Sequence, residues 1–250
     1  MDNNNMLPGV NLVGQFSESA LLSQANGLMD TVLDIKSLLM EYACAIREIK
    51  TKLEILDTEF AVRYSRNPIS AIHTRLKSQT SIVEKMFRKG VPISRKNIEN
   101  TLNDIAGISV ICSYIDDIYR IADALIAQDD ITLIEKKDYI ENPKPNGYRS
   151  LHLIVSVPVF FAEEKKIVKA EVQIRTIAMD FWASLEHGIK YKKDAPDAGE
   201  IVERLKECAE VIAHTDREMQ DIRIRMDESR PQMDGLEKIY EKLKRFDVSF

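Results

Sequence analysis

The sequence predicts an α+β protein in which a mixed β-sheet of about five strands is flanked by helices and extended by further helices at both ends. Between about residues 69 and 175, short β-like runs alternate with short helical patterns, which is typical of a sheet covered by helices. On either side of this stretch, apolar residues recur at three- and four-residue steps, as in amphipathic helices. The chain has 250 residues, which suffices for one large domain with helical extensions.

The elements before the sheet are an irregular leader and a helical segment. Residues 1–27 are rich in Asn, Gly, Ser and Gln, and we expect them to be mobile or irregular. From about Leu28 the apolar spacing predicts one long helix, or two in series, ending before Asn67-Pro68. We therefore divide the chain into a leader (1–27), an N-terminal helical segment (28–66), a core (67–195) and C-terminal helices (196–250).

The core alternates strands and helices, and Gly90 and Ser94 mark a helix end and a helix N-cap. The predicted order is strand 69–77, helices 78–89 and 94–102, strand 105–114, helix 115–128, and strands near 131–140, 149–160 and 166–175. A helix with one apolar stripe follows, formed by Ala178, Phe181, Trp182, Leu185 and Ile189. Beyond Pro196, amphipathic helices are predicted at about 198–228 and 233–246, packing on the core or on another subunit.

The bulk composition is that of an ordinary soluble globular protein. Apolar residues make up 44% and charged residues 30% of the chain. No apolar run approaches the ~18 residues of a membrane helix, and no basic leader precedes an apolar stretch, so we expect a cytoplasmic protein without membrane contact. A net charge of −5 argues against a protein that mainly coats nucleic acid, although it allows a local basic cleft. The three cysteines are isolated and have no metal-ligand spacing.

A cluster of cations is the first candidate for chemistry. The sequence holds no phosphate-binding glycine loop, so a nucleotide enzyme built from it must grip phosphate with side chains. Arg75 and Lys77 share one face of the predicted strand, and Lys85 and Arg88 share one face of the next helix. Four neighbouring cations repel one another unless an anion lies between them, and a triphosphate would fit. The alternative is a solvated basic surface.

Two acidic positions are candidates for a metal site. Asp104 lies at the mouth of a buried strand, where a carboxylate can hold magnesium or cap a turn. Glu171, Gln173 and Arg175 alternate with apolar residues on the last strand, so all three side chains point to one face. That face lines a cleft or is an ordinary exposed strand face.

The segment from Pro143 to His152 predicts a rigid turn that leads into a strand. Asn146 and Gly147 favour the turn, and Tyr148, Ser150 and His152 follow on one face. A tyrosine beside lysine and histidine suits stacking on a purine base. The alternative is a hairpin whose tyrosine belongs to the core.

Taken together, four motifs in order resemble the synthetase domain of the RelA/SpoT family in its small single-domain form, the RelQ- or RelP-like small alarmone synthetases. The motifs are RLKSQTSIVEKMFRKG, DIAGIS, DYIENPKPNGYRSLH and EVQIRTIAMDFWASLEHGIKYK, within about residues 40–195. The resemblance implies a nucleotidyltransferase-like synthetase fold. It also implies Mg²⁺-dependent transfer of pyrophosphate from ATP to the 3′-hydroxyl of GDP, GTP or GMP, which makes (p)ppGpp and AMP in the stringent response.

The resemblance also implies a role for each matching residue. Arg75 would stack on adenine, and the ATP phosphates would be bound by Lys77, Lys85 and Arg88. Asp104 and Glu171 would be the metal carboxylates, and Glu171 would activate the attacking hydroxyl. Tyr148 would stack on guanine, with the rest of the acceptor site formed by Lys144, Asn146, His152, Lys137, Gln173 and Arg175. Ser109 stands where the family usually has a second adenine-stacking arginine.

Further expectations follow from the resemblance. The sequence has no His-Asp dipeptide of the kind found in the family's hydrolase domain, so we expect synthesis only. The terminal helices would build a homo-oligomer, by analogy a tetramer, and the sequence leaves open whether RNA or the product regulates it. Two alternatives stay open: a relative of the toxins that pyrophosphorylate the 3′ end of tRNA, and a non-catalytic regulator that binds nucleotide or RNA. Labelling tRNA against GDP tests the first, and binding without turnover would favour the second.

Overall fold

The structure is a computed structural model that describes residues 18–64, 66–190 and 198–229. Its helices and strands occur in the order α1 (Glu18–Tyr64), β1 (Ile69–Leu76), α2 (Gln79–Arg88), α3 (Arg95–Thr101), β2 (Ala106–Cys112), α4 (Ile115–Ile126), β3 (Thr132–Asp138), β4 (Leu151–Phe160), β5 (Lys165–Thr176), α5 (Ile177–Lys190) and α6 (Ala198–Glu228). The predicted fold class is confirmed, because five strands form one mixed sheet with helices around it.

The sheet has the strand order β1-β2-β5-β4-β3, in which only β2 and β5 run parallel. Residues directly opposite each other on neighbouring strands point to the same face of a sheet. The registers align one such row across all the strands, formed by His73, Ser109, Gln173, His152 and Lys137. This row makes one face of the sheet polar.

The opposite face is covered by α1, which is a single long helix. Ile49 and Leu53 are fully buried on α1, as are Val172 and Ile174 on the core side of β5. The helix begins at Glu18, so the assignment of residues 18–27 to an irregular leader is wrong. This part of the chain contains good helix formers and no proline, and extending an existing helix costs far less than starting one.

The other elements predicted within the described residues agree with the structure to within a few residues. Ser94 caps α3 by accepting a hydrogen bond from the Asn97 amide at 3.2 Å, as predicted. The apolar stripe predicted for α5 is only partly buried, because Trp182 is buried whereas Phe181 and Leu185 are exposed. The indole nitrogen of Trp182 donates to the Leu205 carbonyl, so the packing of α5 on α6 sets which side is inside. The side chain of Ile189 and the predicted helix 233–246 lie outside the described residues.

The last described helix, α6, packs on α5 and α4 and reaches the turn before β4. The predicted helix at 198–228 is therefore observed, and it packs on the core. None of the helices in the described ranges combines the length and the apolar character needed to cross a bilayer.

Candidate active site

Two adjoining cavities lie on the polar face of the sheet. The Tyr148 cavity has a volume of about 640 Å³ and is lined by Arg75, Lys144, Asn146, Tyr148, His152, Gln173, Arg175, Ala183, Ser184, Glu186 and His187. The Asp104 cavity has a volume of about 280 Å³ and is lined by His73, Thr74, Arg75, Lys77, Asp104, Gly107, Ile108, Ser109, Glu171, Gln173 and Arg175. Arg75, Gln173 and Arg175 belong to both walls, so the two cavities form one continuous cleft.

In the Asp104 cavity, two lysines bind the carboxylate of Asp104. The Nζ atoms of Lys77 and Lys85 donate to Oδ2 of Asp104 at 2.9 and 2.6 Å. Burial disfavours the ionised carboxyl, but the hydrogen bonds from Lys85 and Lys77 outweigh burial and hold the pKa of Asp104 below its usual value. Asp104 is therefore a carboxylate at neutral pH.

A tight connection between β1 and α2 brings these lysines together. The backbone amide of Lys77 donates to the Ile105 carbonyl at 2.9 Å, which fixes the end of β1 beside the start of β2. Ser78 then caps α2, because its hydroxyl accepts from the Ser81 amide at 3.2 Å. Lys85 lies in the second half of this helix, and its side chain reaches Asp104.

A closed ring of five side chains links the two cavities. Arg175 donates through Nη2 to the Tyr148 phenol oxygen at 2.7 Å, and that phenol lies 2.8 Å from Nε2 of His152. Nδ1 of His152 lies 3.1 Å from Oε1 of Glu171. Gln173 donates to Oε2 of Glu171 at 3.0 Å and accepts from Nη2 of Arg175, which closes the ring.

The ring favours the ionised form of Glu171. Burial raises the pKa of Glu171, but the hydrogen bonds from His152 and Gln173 outweigh burial and hold it below the usual value. An ionised Glu171 can only accept a hydrogen bond, so Nδ1 of His152 is the donor in this contact, and Nε2 lies beside the Tyr148 hydroxyl. Both oxygens of Glu171 are thus held in fixed positions by neighbouring donors.

The turn before β4 presents Tyr148 and Lys144 to the cleft. Nζ of Lys144 lies 4.5 Å from the ring centroids of both Tyr139 and Tyr148, within cation–π distance. The Asn146 side chain accepts from the Tyr148 amide at 3.3 Å and donates to Glu186 on α5 at 3.1 Å. Tyr148 is therefore half-buried at the site wall, and the alternative of a core tyrosine is wrong.

The Asp104 cavity has the donor atoms for one hard cation shared with a substrate. Asp104 and Glu171 both line it, and Oδ1 of Asp104 is buried without a hydrogen-bond partner among the described residues. The described ranges contain no group of three or more His, Cys, Asp or Glu side chains arranged to hold a metal ion. Two carboxylates with an open coordination sphere are what Mg²⁺ uses when phosphate oxygens and water complete it.

Known proteins resemble this chain over most of its length. A family model described as a region found in RelA/SpoT proteins matches residues 74–196. GTP pyrophosphokinase YwaC of Bacillus subtilis is 42% identical over 206 residues, which cover 82% of this chain and 98% of YwaC. The chain belongs to the RelA/SpoT family. The motif resemblance predicted this membership, and the comparison confirms it.

Two solved structures of family members carry nucleotides. The small alarmone synthetase 1 of Bacillus subtilis bound to its product pppGpp superimposes with a TM-score of 0.69 at 37% identity, over 77% of this chain and 97% of that one. The same synthetase bound to AMPCPP gives a TM-score of 0.65 at 34% identity, over 78% of this chain and 98% of that one. This RelA/SpoT-family protein therefore shares its fold with a synthetase whose structures hold pppGpp and AMPCPP.

Most of the residues predicted for the site lie together in this RelA/SpoT-family cleft. All except three line one of its cavities. Lys85 lines neither cavity but donates to Asp104 at 2.6 Å. Arg88 is exposed at the end of α2 and lines neither cavity. Lys137 is exposed on β3, where its Nζ lies 3.0 Å from Glu135. Phosphate binding by Arg88 and Lys137 stays a prediction.

Sequence reasoning missed the contribution of α5 to the cleft. Ser184, Glu186 and His187 line the Tyr148 cavity, and Asp180 accepts from Nη1 of Arg175 at 3.0 Å. Positions 180, 184 and 187 are spaced by four and three residues, so they share one helix face. That polar spacing is present in the sequence, on the side of the helix opposite the apolar stripe.

Ser109 lies opposite His73 in the wall of the Asp104 cavity. Its hydroxyl oxygen is buried and has no hydrogen-bond partner among the described residues. The structure therefore places a small polar group at the position where the family resemblance leads one to expect an arginine.

Proposed function

We propose that this protein is a GTP pyrophosphokinase that transfers the β,γ-diphosphate of ATP to the 3′-hydroxyl of GDP, GTP or GMP, making (p)ppGpp and AMP. One observation carries the proposal. Glu171 lines the cation-rich Asp104 cavity and is hydrogen-bonded to His152, which lines the cavity of Tyr148. A donor phosphate in the first cavity and a purine nucleoside in the second would therefore meet at Glu171.

The Asp104 cavity suits the donor triphosphate. Arg75 and Lys77 line it, and Lys85 lies behind Asp104 within hydrogen-bond distance. A bound triphosphate would draw the two lysines from Asp104 to its own oxygens, because the charge density of phosphate oxygens is higher. Arg75 stands at the junction with the Tyr148 cavity, where its flat guanidinium can stack on adenine.

The Tyr148 cavity suits the guanine nucleotide. The half-buried Tyr148 ring offers a face for stacking, and Lys144 and Arg175 supply positive charge beside it. Asn146 and Glu186 bring amide and carboxylate groups that can read the donor edge of guanine. This arrangement favours a purine that carries phosphates over an uncharged ligand.

The reaction needs positioning and charge neutralisation more than covalent help from the protein. The 3′-oxygen of the acceptor attacks the β-phosphorus of ATP, and the bond between that phosphorus and the α–β bridging oxygen breaks, which releases AMP. Glu171 accepts the hydrogen bond of the attacking hydroxyl and takes its proton. His152 and Gln173 hold the carboxylate in place while this happens.

Magnesium completes the proposed site. Asp104 and Glu171 would hold it, since both line the Asp104 cavity and Oδ1 of Asp104 lacks a partner there. Bound Mg²⁺ would neutralise the charge that builds up on the transferred phosphates. The protein's own cations lie on the other side of Asp104 and would share that task.

A substrate panel tests the proposal. The purified protein is incubated with Mg²⁺, ATP and either GMP, GDP, GTP or tRNA, and the products are resolved by anion-exchange chromatography. We expect AMP and a 3′-pyrophosphorylated guanine nucleotide in equal amounts, and none with Glu171→Gln at unchanged circular dichroism. Modification of tRNA alone, or release of ADP in place of AMP, would contradict the proposal.

We further propose that the protein only synthesises alarmone, works in the cytoplasm where ATP and GTP are abundant, and assembles as a homotetramer through its terminal helices. Exposed apolar side chains on α1 and α6 support the assembly, among them Met29, Leu33, Ile55, Val211 and Met226. Size-exclusion chromatography with light scattering would give about four times the chain mass of 28.6 kDa. A monomer would contradict the tetramer and leave the proposed reaction standing.

A further inference from the structure

The turn that carries Asn146 and Tyr148 rests directly on the backbone of α6. Gly147 has a φ of +88°, and a Cβ atom there would lie 2.5 Å from Cβ of Ala209 and 3.4 Å from Cα of Lys206. A side chain at position 147 would therefore both strain the backbone and push the turn away from the helix. The turn therefore approaches α6 closely, at the methyl group of Ala209 and the backbone of Lys206.

The Arg149 side chain fastens this contact. Its Nη1 donates to the carbonyls of Gly147 at 3.1 Å and Ala209 at 3.2 Å, so a single nitrogen joins the turn to the helix. Its Nη2 donates to Oε1 of Glu210 at 3.0 Å. The Arg149 side chain is only 11% exposed, whereas that of Glu210 is 58% exposed. The carbonyl contacts are the shielded ones and the ion pair is largely screened by water.

A second contact joins α6 to the same region through α5. Trp182 is 4% exposed and donates from Nε1 to the Leu205 carbonyl at 2.9 Å. Its ring centroid lies 6.4 Å from that of Tyr148. Trp182 is the single tryptophan of the chain, so its fluorescence reports on the packing of α6 beside the Tyr148 ring.

We propose that Arg149 is a positioning residue for the guanine-nucleotide site, acting by clamping the turn 143–149 to α6. This inference rests on the proposed function of the Tyr148 cavity. The clamp sets the place of the Tyr148 ring and, through the phenol, the orientation of His152. Lys77, directly after β1, and Lys85, on α2, donate to Asp104, whereas Arg149 donates to Gly147, Ala209 and Glu210. Loosening the clamp therefore weakens acceptor binding and leaves donor binding intact.

The test compares Arg149→Lys and Arg149→Met with wild type. Lysine keeps the charge opposite Glu210 but lacks the guanidinium fork that bridges two carbonyls. We expect the KM for GDP to rise about tenfold or more in both variants, with the KM for ATP within about twofold, because a displaced turn misplaces the stacked purine. The matched control is Arg63→Lys, an exposed arginine that forms a surface ion pair with Glu59 on α1, for which neither KM should change.

Trp182 fluorescence gives a readout that does not depend on turnover. Titration with GDP in the absence of ATP should show the same weakening in the Arg149 variants, measured at a temperature at which circular dichroism shows Arg149→Lys to be folded. Equal changes in both KM values, or an unchanged GDP affinity in Arg149→Lys, would overturn the inference. If Arg149→Met does not fold, the result for Arg149→Lys alone decides. If wild type binds GDP but makes no pyrophosphorylated product, the proposed reaction fails while the titration still decides on the clamp. If wild type does not bind GDP, both fall.

Discussion

Nδ1 of His152 lies 3.1 Å from Oε1 of Glu171, and this contact joins the two halves of the cleft. His152 comes from β4 and Glu171 from β5, yet the sheet register places the two strands side by side. Glu171 then faces the cations of the Asp104 cavity, while His152 faces the Tyr148 ring. A change on the acceptor side is therefore transmitted to the carboxylate at the centre of the proposed reaction.

Replacement of Tyr148 separates its two roles. Tyr148→Phe keeps the ring for stacking but removes the hydroxyl between Arg175 and His152, so Glu171 loses part of its orientation. We expect kcat to fall about tenfold with little change in the KM for GDP, since the hydroxyl's hydrogen bonds with Arg175 and His152 are lost while the stacking ring stays. Tyr148→Ala should raise the KM as well. Steady-state kinetics of both variants check this, and equal effects of the two would contradict separate roles.

Replacement of Lys85 tests the donor side. Lys85→Met removes a cation that lies 2.6 Å from Asp104 and near the proposed triphosphate, so the KM for ATP should rise about tenfold or more. The KM for GDP should stay within about twofold. Lys89→Met is the matched control, because Lys89 is exposed beyond the end of the same helix. A larger effect on GDP than on ATP would place the triphosphate elsewhere.

The stability of the protein should depend on pH through Asp104. Its pKa is lowered in the folded state, so the stability that the ionised carboxylate contributes is fully present above its ordinary value of 3.8. It is lost as the pH falls through the lower folded value. Asp104→Asn should thus destabilise by about 2 kcal/mol at pH 7, where two charged hydrogen bonds are lost. The difference from wild type should shrink below pH 3.8.

Urea unfolding at a series of pH values measures this difference without added metal. Burial raises the pKa of Asp117 and Asp216, so these carboxyls act in the opposite direction, but they are common to both proteins and cancel. Asp123→Asn, at an exposed position on α4, controls for the general effect of removing a charge. A difference that stays constant or widens in acid would show that the ionised Asp104 does not stabilise the fold.

Neighbouring residues on α2 should differ sharply in their effect on stability. Met86 is fully buried, whereas Phe87 is 85% exposed. Met86→Ala should cost about 3 kcal/mol, because it leaves a cavity under the helix that carries Lys85. Phe87→Ala should change stability by less than about 0.5 kcal/mol. Denaturant midpoints at constant m-value check this pair, and a large loss for Phe87→Ala would indicate that another surface covers it.

The sequence predicted the fold well where local periodicity coincides with burial. The alternation around Glu171, Gln173 and Arg175 put the polar set on one face, and the structure has the same arrangement. Residues 18–27 show the limit, because no periodic apolar face is needed when a helix simply continues from its neighbour. The face of α5 shows another, since its docking on α6 through Trp182 depends on a contact between segments distant in the chain.

The site could be predicted in its members but not in its connections. Each residue of the ring lies in a predicted motif, yet the strand order that brings β4 beside β5 decides that His152 contacts Glu171. Arg149 shows the same limit. Its partners Ala209 and Glu210 lie about sixty residues away on α6, and nothing in the local sequence pairs them.

Manganese binding tests most directly whether Asp104 and Glu171 serve one ion. Free Mn²⁺ is measured by electron paramagnetic resonance with a non-hydrolysable ATP analogue present, for wild type, Asp104→Asn, Glu171→Gln and the double variant. If both carboxylates hold the same ion, each single variant should weaken binding about tenfold or more, and the double variant should lose less than the two losses combined. If either single variant binds Mn²⁺ as wild type does, or if the two losses add in full, the shared site is contradicted.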